Sequence, residues 1–439
     1  MDDGEFIRKY RRTGKKKILI VAAVLIVAVL VSLLEISFGP YNIDFFRAYE
    51  VFFNHLFGHP SGGTDDYVVW EKSVPRMIAV LTAGSAMGVC GAAMQSTLKN
   101  PLADPYITGI SSGANFGVAL ATIAGIFIIP GITGDLGLIL NAFLISLVPT
   151  LAIISLSSLR RRTGPTTMIL IGIAVMYLFG ACTTMLKLTA SDESYATVFA
   201  WSLGTLGSIT WKTVPFLVSA SVAAAVLFCL MNARLNLLSD NDDLALTSGL
   251  SVRRVRLISI CAVSLTTATI VCFTGTIGFV GLVAPHIMRI FMGSDNRYLI
   301  PASAAAGAFI LAAADCIAIE ITPTGLPVGV ITSIIGGPVF VYILIKQHKR
   351  TWNRADTMEL NIDNLSFGYD EKPVLKNISI KIDGPQFVSV LGPNGVGKST
   401  LIHCINRILE PTSGNVYIDG KDVKEYPLKE LAKIIGYVP

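Results

Sequence analysis

The sequence predicts an α-helical polytopic membrane protein of about ten transmembrane helices, followed by an incomplete α/β domain of the P-loop type. Three observations carry this. Of 439 residues, 52% are hydrophobic and only 15% charged, against about 25% charged in soluble domains, and mean hydropathy is +0.62. Long apolar stretches recur from Ile18 to Ile345. Beyond Lys346 the composition becomes that of a soluble domain, and Gly392–Ser399 reads G-x-x-x-x-G-K-S.

The first span, Ile18 to Leu34, carries no charge and lies at the short end of the roughly 17–25 residues that cross a bilayer. Arg8, Lys9, Arg11, Arg12, Lys15, Lys16 and Lys17 precede it. A secretory leader begins the same way. No A-x-A-like site follows, however, because the chain continues Glu35-Ile36-Ser37-Phe38. An uncleaved span with a cytoplasmic N-terminus is expected.

Nine more spans are read at approximately 76–96, 107–129, 136–158, 166–187, 213–231, 256–277, 280–293, 301–320 and 327–345, the eighth of the ten being short. This even count tests itself against charge. Segments on the N-terminal side hold Lys99, Arg160, Arg161, Arg162, Arg234, Arg253, Arg254, Arg256, Arg289, Arg297, Lys346, Lys349 and Arg350. Those on the other side hold only Arg47, Lys72, Arg76, Lys187 and Lys212. That asymmetry follows the positive-inside rule. A net charge of +5 is explained by these flanks and implies no nucleic-acid partner. The seven cysteines are scattered without metal-ligand or disulfide spacing and read as small hydrophobes.

The outer loop 35–75 mixes Tyr41, Phe45, Phe46, Phe52, Phe53 and Phe57 with Gly and Pro. It is either an amphipathic helix at the membrane lipid interface or an ordinary connection. Gly84 and Gly88, and Gly275, Gly278 and Gly281, predict close helix packing. Asp315 and Glu320 lie in the ninth span, where ionisable groups are costly. Glu320 reads as an outer-interface residue. Asp315 is either functional or a cap on a broken helix.

The soluble part begins with a basic linker, 347–357. Leu360–Leu365 and Ile378–Ile382 alternate like strands, and Gln386–Leu391 reads as an apolar strand leading into the glycine-rich motif. Glycines there let successive N–H groups point at phosphate. Lys398 suits the β/γ-phosphates and Ser399 a Mg²⁺ ion. The helix expected over Thr400–Leu409 turns its N-terminus toward the anion. Another P-loop NTPase or kinase would share this motif, so its flanks decide the class.

Several local sequences resemble the FecCD-type permeases of ABC importers, which carry iron-siderophores, haem and cobalamin. They are Val74-Pro75-Arg76, Gly91-Ala92-Ala93-Met94-Gln95, Lys99-Asn100-Pro101-Leu102-Ala103-Asp104-Pro105 and Trp201-Ser202-Leu203-Gly204. Gly275 to His286 with Arg289, Leu326-Pro327-Val328-Gly329-Val330 and Gly336-Gly337-Pro338-Val339-Phe340 complete the set, in the family's order. The resemblance implies a ten-span fold working as a dimer with a second permease copy. It also implies ABC ATPase subunits and an extracytoplasmic substrate-binding protein that delivers a metal chelate.

Leu235 to Val252 is similar to the family's cytoplasmic coupling segment. Asn236-Leu237-Leu238 and Ser248-Gly249-Leu250 keep its pattern, and Asp240, Asp242 and Asp243 read as lying near a helix start, where the dipole favours anions. The chain departs from the family at Ser73 and Ile319, where arginines are frequent. Lys72 and Arg76 remain as residues that could dock the binding protein.

In the soluble part, Asn364–Tyr369 resembles the ABC A-loop, Pro411–Gly420 the segment after the first helix, and Ile434–Pro439 the strand before the Q-loop. The implied nucleotide contacts are Tyr369, stacking on adenine, with Gly392, Asn394, Gly395, Gly397, Lys398, Ser399 and Thr400. The implied cofactors are ATP and Mg²⁺. The Q-loop, signature, Walker B aspartate, catalytic glutamate and switch histidine are not among these residues, so no catalytic residue is assigned. Residues 1–439 alone are not expected to hydrolyse ATP. The organisation expected is a permease domain 1–346, the linker 347–357 and an N-terminal portion of an ATPase domain, 358–439. A membrane receptor that binds nucleotide without transporting is the alternative reading.

Overall fold

A computed structural model describes residues 3–38, 43–59, 62–158, 164–240, 242–321, 326–355, 359–369, 372–384, 388–393 and 395–436. The chain divides into two compact units, 1–339 and 340–439.

Hydrocarbon leaves no water for backbone groups, so apolar chain that spans it must close its hydrogen bonds within helices. Among the described residues, the first unit accordingly has helices as its only regular elements. Its elements are α1 (Asp3–Leu34), α2 (Phe45–Leu56), α3 (Thr64–Tyr67), α4 (Val74–Thr97), α5 (Ile110–Thr122), α6 (Gly134–Ser158), α7 (Pro165–Leu188) and α8 (Asp192–Ser202). There follow α9 (Val214–Leu230), α10 (Asn232–Asp240), α11 (Asp242–Thr247), α12 (Val252–Thr274), α13 (Val280–Met292), α14 (Asn296–Ile321) and α15 (Val328–Ala355). A π-helical stretch, Val68–Ser73, joins α3 to α4, and Pro75 sits in the first turn of α4. Proline is tolerated there because its missing N–H has no intrahelical partner anyway.

Among the described residues, six helical stretches are long and apolar enough to cross a bilayer: Arg12–Leu34, Thr64–Thr97, Gly134–Leu156, Pro165–Leu188, Val252–Thr274 and Asn296–Ile321. A seventh results if α9 and α10, bent by 62°, are counted together. The ten expected spans therefore do not all appear as full-length helices. α5 and α13 have 13 residues each, which at 1.5 Å per residue is about 20 Å, short of a bilayer core of about 30 Å. The expected third span, 107–129, was too long because residues 123–133 leave the helix. The outer loop contains the helix α2, and α8 is a further helix that apolar runs did not mark.

Close approach of α4 and α14 organises the bundle. The two run antiparallel, and a Cβ on Gly84 would strike the Gly307 carbonyl, while one on Gly88 would strike that of Ser303. Gly91 meets the carbonyl of Gly281 on α13 in the same way. Small residues thus set helix separation, as the glycine pattern predicted. α1 belongs to this body. Lys17 Nζ donates to Met292 O at 2.5 Å at the end of α13 and lies 4.9 Å from the centre of the Tyr298 ring on α14.

In the second unit, α15 continues to Ala355, so residues 347–355 of the expected linker are helical. Nothing between Pro338 and Arg350 breaks a helix, and Lys, Gln and Arg favour one. The strands β1 (Glu359–Tyr369) and β2 (Lys372–Asp383) precede α16 (Lys398–Ile405). β3 (Ser413–Ile418), β4 (Lys421–Asp422) and α17 (Leu428–Ile434) follow. They form one antiparallel sheet ordered β2-β1-β3-β4. Ile362, Leu365, Leu375, Leu401, Cys404, Val416 and Ile418 fill its core.

Two strand expectations fail here. Of Gln386–Leu391, residues 388–391 pair with no described strand, and Val388, Val390 and Leu391 are exposed. A strand of that composition is held by ladder partners on both edges, and the antiparallel sheet offers it none. Of Ile434–Pro439, residues 434–436 form the end of α17 and an irregular segment. Residues 386–387 and 437–439 lie outside the described residues.

Candidate functional site

The motifs that are scattered in sequence meet in three places within the first unit. In the first, Gly204 packs on the carbonyl of Thr276, Gly275 on that of Trp201, and Gly329 on that of Leu203. Thr205 N donates to Thr274 O at 2.8 Å and Gly329 N to Gly204 O at 3.2 Å. The Trp201–Gly204, Gly275–Gly281 and Leu326–Val330 elements are thus one interlocked knot of backbone. Side chains at these glycines would hold the segments apart.

The second place is the segment between the sixth and seventh expected spans. The sequence singled out Asn236, Leu237 and Leu238 on α10, and the structure shows why this short helix keeps its position. Leu235 and Leu238 are fully buried. Asn236 Nδ2 donates to Asp295 Oδ1 at 2.8 Å, while its Oδ1 accepts from Asn296 N at 2.8 Å and Nδ2 at 2.9 Å. Asn296 Oδ1 in turn accepts from Ser96 Oγ at 2.9 Å, at the end of α4. Ser248, Gly249 and Leu250 close α11: Ser248 Oγ donates to Leu244 O at 2.8 Å and Leu250 N to Ala245 O at 2.9 Å. Leu244, Leu246, Ser248 and Gly249 face outward.

Of the three acidic residues read near a helix start, Asp242 and Asp243 open α11, whereas Asp240 ends α10. Asp242 does more than favour the dipole. It accepts from Arg256 Nη2 at 3.2 Å through both oxygens and pairs with Lys99 Nζ at 2.9 Å. Arg256 is buried and also donates to Thr97 O. Partial burial would raise the Asp242 carboxyl, but Lys99 and Arg256 outweigh it and hold it below the ordinary carboxylate value. A carboxyl lowered in the folded state contributes stability that is full above its unfolded pKa of about 4 and is lost as pH falls through the folded value. The clamp therefore holds at neutral pH and releases only in acid. Asp242→Asn is expected to speed amide hydrogen exchange across residues 240–250 at neutral pH. Unchanged exchange there would show that the clamp does not hold the segment. Asp295, Asn296 and Ser96 were not legible as part of this site, because they lie far from it in sequence; Arg256, only 14 positions from Asp242, read simply as one of the inside charges.

The third place is an ion pair at the start of α4. Arg76 Nε donates to Asp315 Oδ2 at 2.7 Å and Nη2 to Oδ1 at 2.8 Å. Asp315 is fully buried and the Arg76 side chain is 22% exposed. Asp315 is thus neither a helix cap nor free, and Arg76 holds it through both guanidinium bonds. Lys72 is exposed, as is Glu320. Beside the pair lies buried Glu35, whose carboxyl oxygens have no hydrogen-bond partner among the described residues. Only its position after an apolar span signalled it.

In the second unit, Gly395 and Gly397 have φ of +84° and +99°, which other residues rarely adopt. A Cβ on Gly397 would also come within 2.8 Å of Val374 Cγ1 on β2. Lys398 Nζ donates to Gly392 O and Pro393 O, each at 2.7 Å, and so reaches back along the loop. Ser399 is exposed and Thr400 buried in the first turn of α16. Tyr369 ends β1 opposite Lys372, just before Val374 on the neighbouring strand. Its ring is half exposed and meets Phe367 edge-on at 5.0 Å. Asn394 lies outside the described residues. A helix N-terminus with a lysine and an exposed aromatic nearby suits a triphosphate and an adenine.

A helical membrane body, a tethered surface helix pair and a P-loop segment on one chain define a membrane permease of the ABC-transporter class. Residues 24–346 match the FecCD transport family and residues 375–439 the ABC transporter domain. The chain belongs to the FecCD transport family. It is 37% identical over 354 residues to an ABC transporter permease protein of Methanocaldococcus jannaschii, covering 78% of this chain and 99% of that one. It is 32% identical over 337 residues to the hemin transport system permease protein HmuU of Yersinia pestis, covering 76% and 97%. A solved structure, described as an inward-facing metal-chelate type ABC transporter, superimposes with a TM-score of 0.65. That match has 24% identity and covers 74% of this chain and 99% of that one, and it supports the fold.

Proposed function

We propose that the chain is the membrane-spanning subunit of an importer for metal chelates, with iron-siderophores first and haem and cobalamin behind. The observation that carries this is the family match over residues 24–346, joined to the hydrogen-bonded anchoring of α10 and α11. A relative that serves hemin transport fits the same substrate class.

In this reading α1, α4 to α7, α9 and α12 to α15 make ten crossings, the shorter ones completed by irregular segments buried in the bundle, where such backbone is tolerated. The charge asymmetry puts the N-terminus and the P-loop segment in the cytoplasm. Two permease copies enclose the pathway, and an outer binding protein delivers the chelate, with Lys72 the better docking cation because Arg76 is engaged. The exposed edge of α11 seats on an ABC ATPase. Being tied to α4, α12 and α14, the pair α10–α11 passes movement of the ATPase to the bundle as a rigid lever. ATP supplies the charge that the P-loop holds, with Mg²⁺ at Ser399. Gly392, Asn394, Gly395, Gly397 and Thr400 frame the phosphates, Lys398 neutralises them, and Tyr369 stacks on the base. Labelled-chelate uptake by cells carrying the complete locus, lost when this gene is removed, is the test.

A further inference from the structure

α2 has three faces. At 100° per residue, Ala48, Val51, Phe52 and His55 fall on one arc, and Arg47, Glu50 and Asn54 on a second. Phe45, Phe46, Phe53, Leu56 and Phe57 fall on a third that is roughly 120° wide. The first arc is packed: Ala48 and Val51 are buried in a cluster with Ile36, Val69 and Val74, and His55 stacks on Trp70 at 4.0 Å. The second arc carries the Arg47–Glu50 pair at 2.9 Å. The third also carries Tyr49, which is part-buried, but is otherwise outward-facing, with Phe46 80% and Phe57 73% exposed.

We infer that this third face is buried in the bilayer interface, so that α2 is a membrane-surface helix and its occupant is lipid at the boundary of headgroup and acyl chain. Three observations point there. Tyr49 Oη donates to Leu33 O at 2.7 Å, which pins α2 to the end of the spanning helix α1. Leu30, Leu34 and Phe38 at that end are themselves exposed, so the apolar surface of α2 continues the lipid-facing surface of α1. Trp70, on which His55 of α2 stacks, is joined to Trp211 by a 2.8 Å hydrogen bond from Trp211 Nε1 to Trp70 O, so two tryptophans back α2. Tryptophan is the residue enriched at that depth. A helix with an apolar face and a charged strip lies flat in such an interface. This inference rests on the chain being membrane-spanning and not on what it transports.

The test uses the full chain in phosphatidylcholine–phosphatidylglycerol nanodiscs. p-Acetylphenylalanine bearing a nitroxide replaces Phe46, Phe53 or Glu50 in turn, and power-saturation spectra compare collision with oxygen and with a water-soluble nickel chelate. The expected result is oxygen in excess at 46 and 53 and the nickel chelate in excess at 50. Nickel access at 46 and 53 equal to that at 50 would overturn the inference in favour of an aqueous face. Exclusion of both reagents from 46 and 53 would overturn it in favour of a protein partner, either a second copy or a docked protein.

Discussion

Replacing Arg76 by alanine is expected to destabilise the membrane domain by about 3–5 kcal/mol, the range for removing one partner of a buried ion pair. The carboxylate of Asp315 is fully buried, and both of its hydrogen bonds across to α4 come from this guanidinium. Its loss also removes a cation that interacts electrostatically with buried Glu35, which senses both partners. Asp315→Ala should therefore cost less than Arg76→Ala, because Glu35 stays behind to face the arginine. A double replacement, Arg76→Met with Asp315→Leu, should recover most of the loss, since apolar substitutes for a buried pair are often neutral or stabilising. Thermal unfolding in detergent, followed by size-exclusion recovery, measures all three. Equal losses for the two single variants would remove Glu35 from this account.

The second large effect is steric. Gly91→Ala is expected to abolish or severely reduce the monodisperse protein, although it adds only one methyl group. A Cβ at this position falls on the carbonyl of Gly281, which is backbone and cannot swing aside. α4 and α13 must then separate. Overpacking of this kind costs typically 1–3 kcal/mol and sometimes more, and here it propagates to the neighbouring α4–α14 contact. Gly180→Ala on α7 is the control. It sits in a helix with open space around its Cβ position, where alanine should be neutral or stabilising by roughly 0.5–1 kcal/mol. Similar recovery of the two variants would show that the tight crossing is not required.

How far the sequence could be read follows from the range of each interaction. Local signals were legible. Apolar runs marked α6, α7, α9, α12 and α14 within a few residues, the glycine spacing marked the tight crossings, and the G-x-x-x-x-G-K-S motif marked the loop that leads into α16. Interactions between distant residues were not. Arg76 and Asp315 are 239 positions apart, so Arg76 read as an outward docking cation and Asp315 stayed open between function and a cap. Asn236 was recognised by motif, but its partners Asp295 and Asn296 belong to the start of α14 and carry no pattern of their own. The strand expected at Gln386–Leu391 has the right composition for a sheet interior. Composition specifies a strand only when partners are present, and the sheet β2-β1-β3-β4 does not include it. The face of α2 lay between these cases. Its aromatics were visible, but their division into a packed arc and an outward-facing arc needed the helix.

We propose that this permease moves a metal chelate inward under ATP control. Uptake of radiolabelled ferric siderophore, haem or cobalamin tests it most directly, in cells carrying the complete locus compared with cells lacking only this gene. The account predicts energy-dependent accumulation of at least one chelate that disappears with the gene. Absence of accumulation for all three, with the protein present in the membrane, would contradict it.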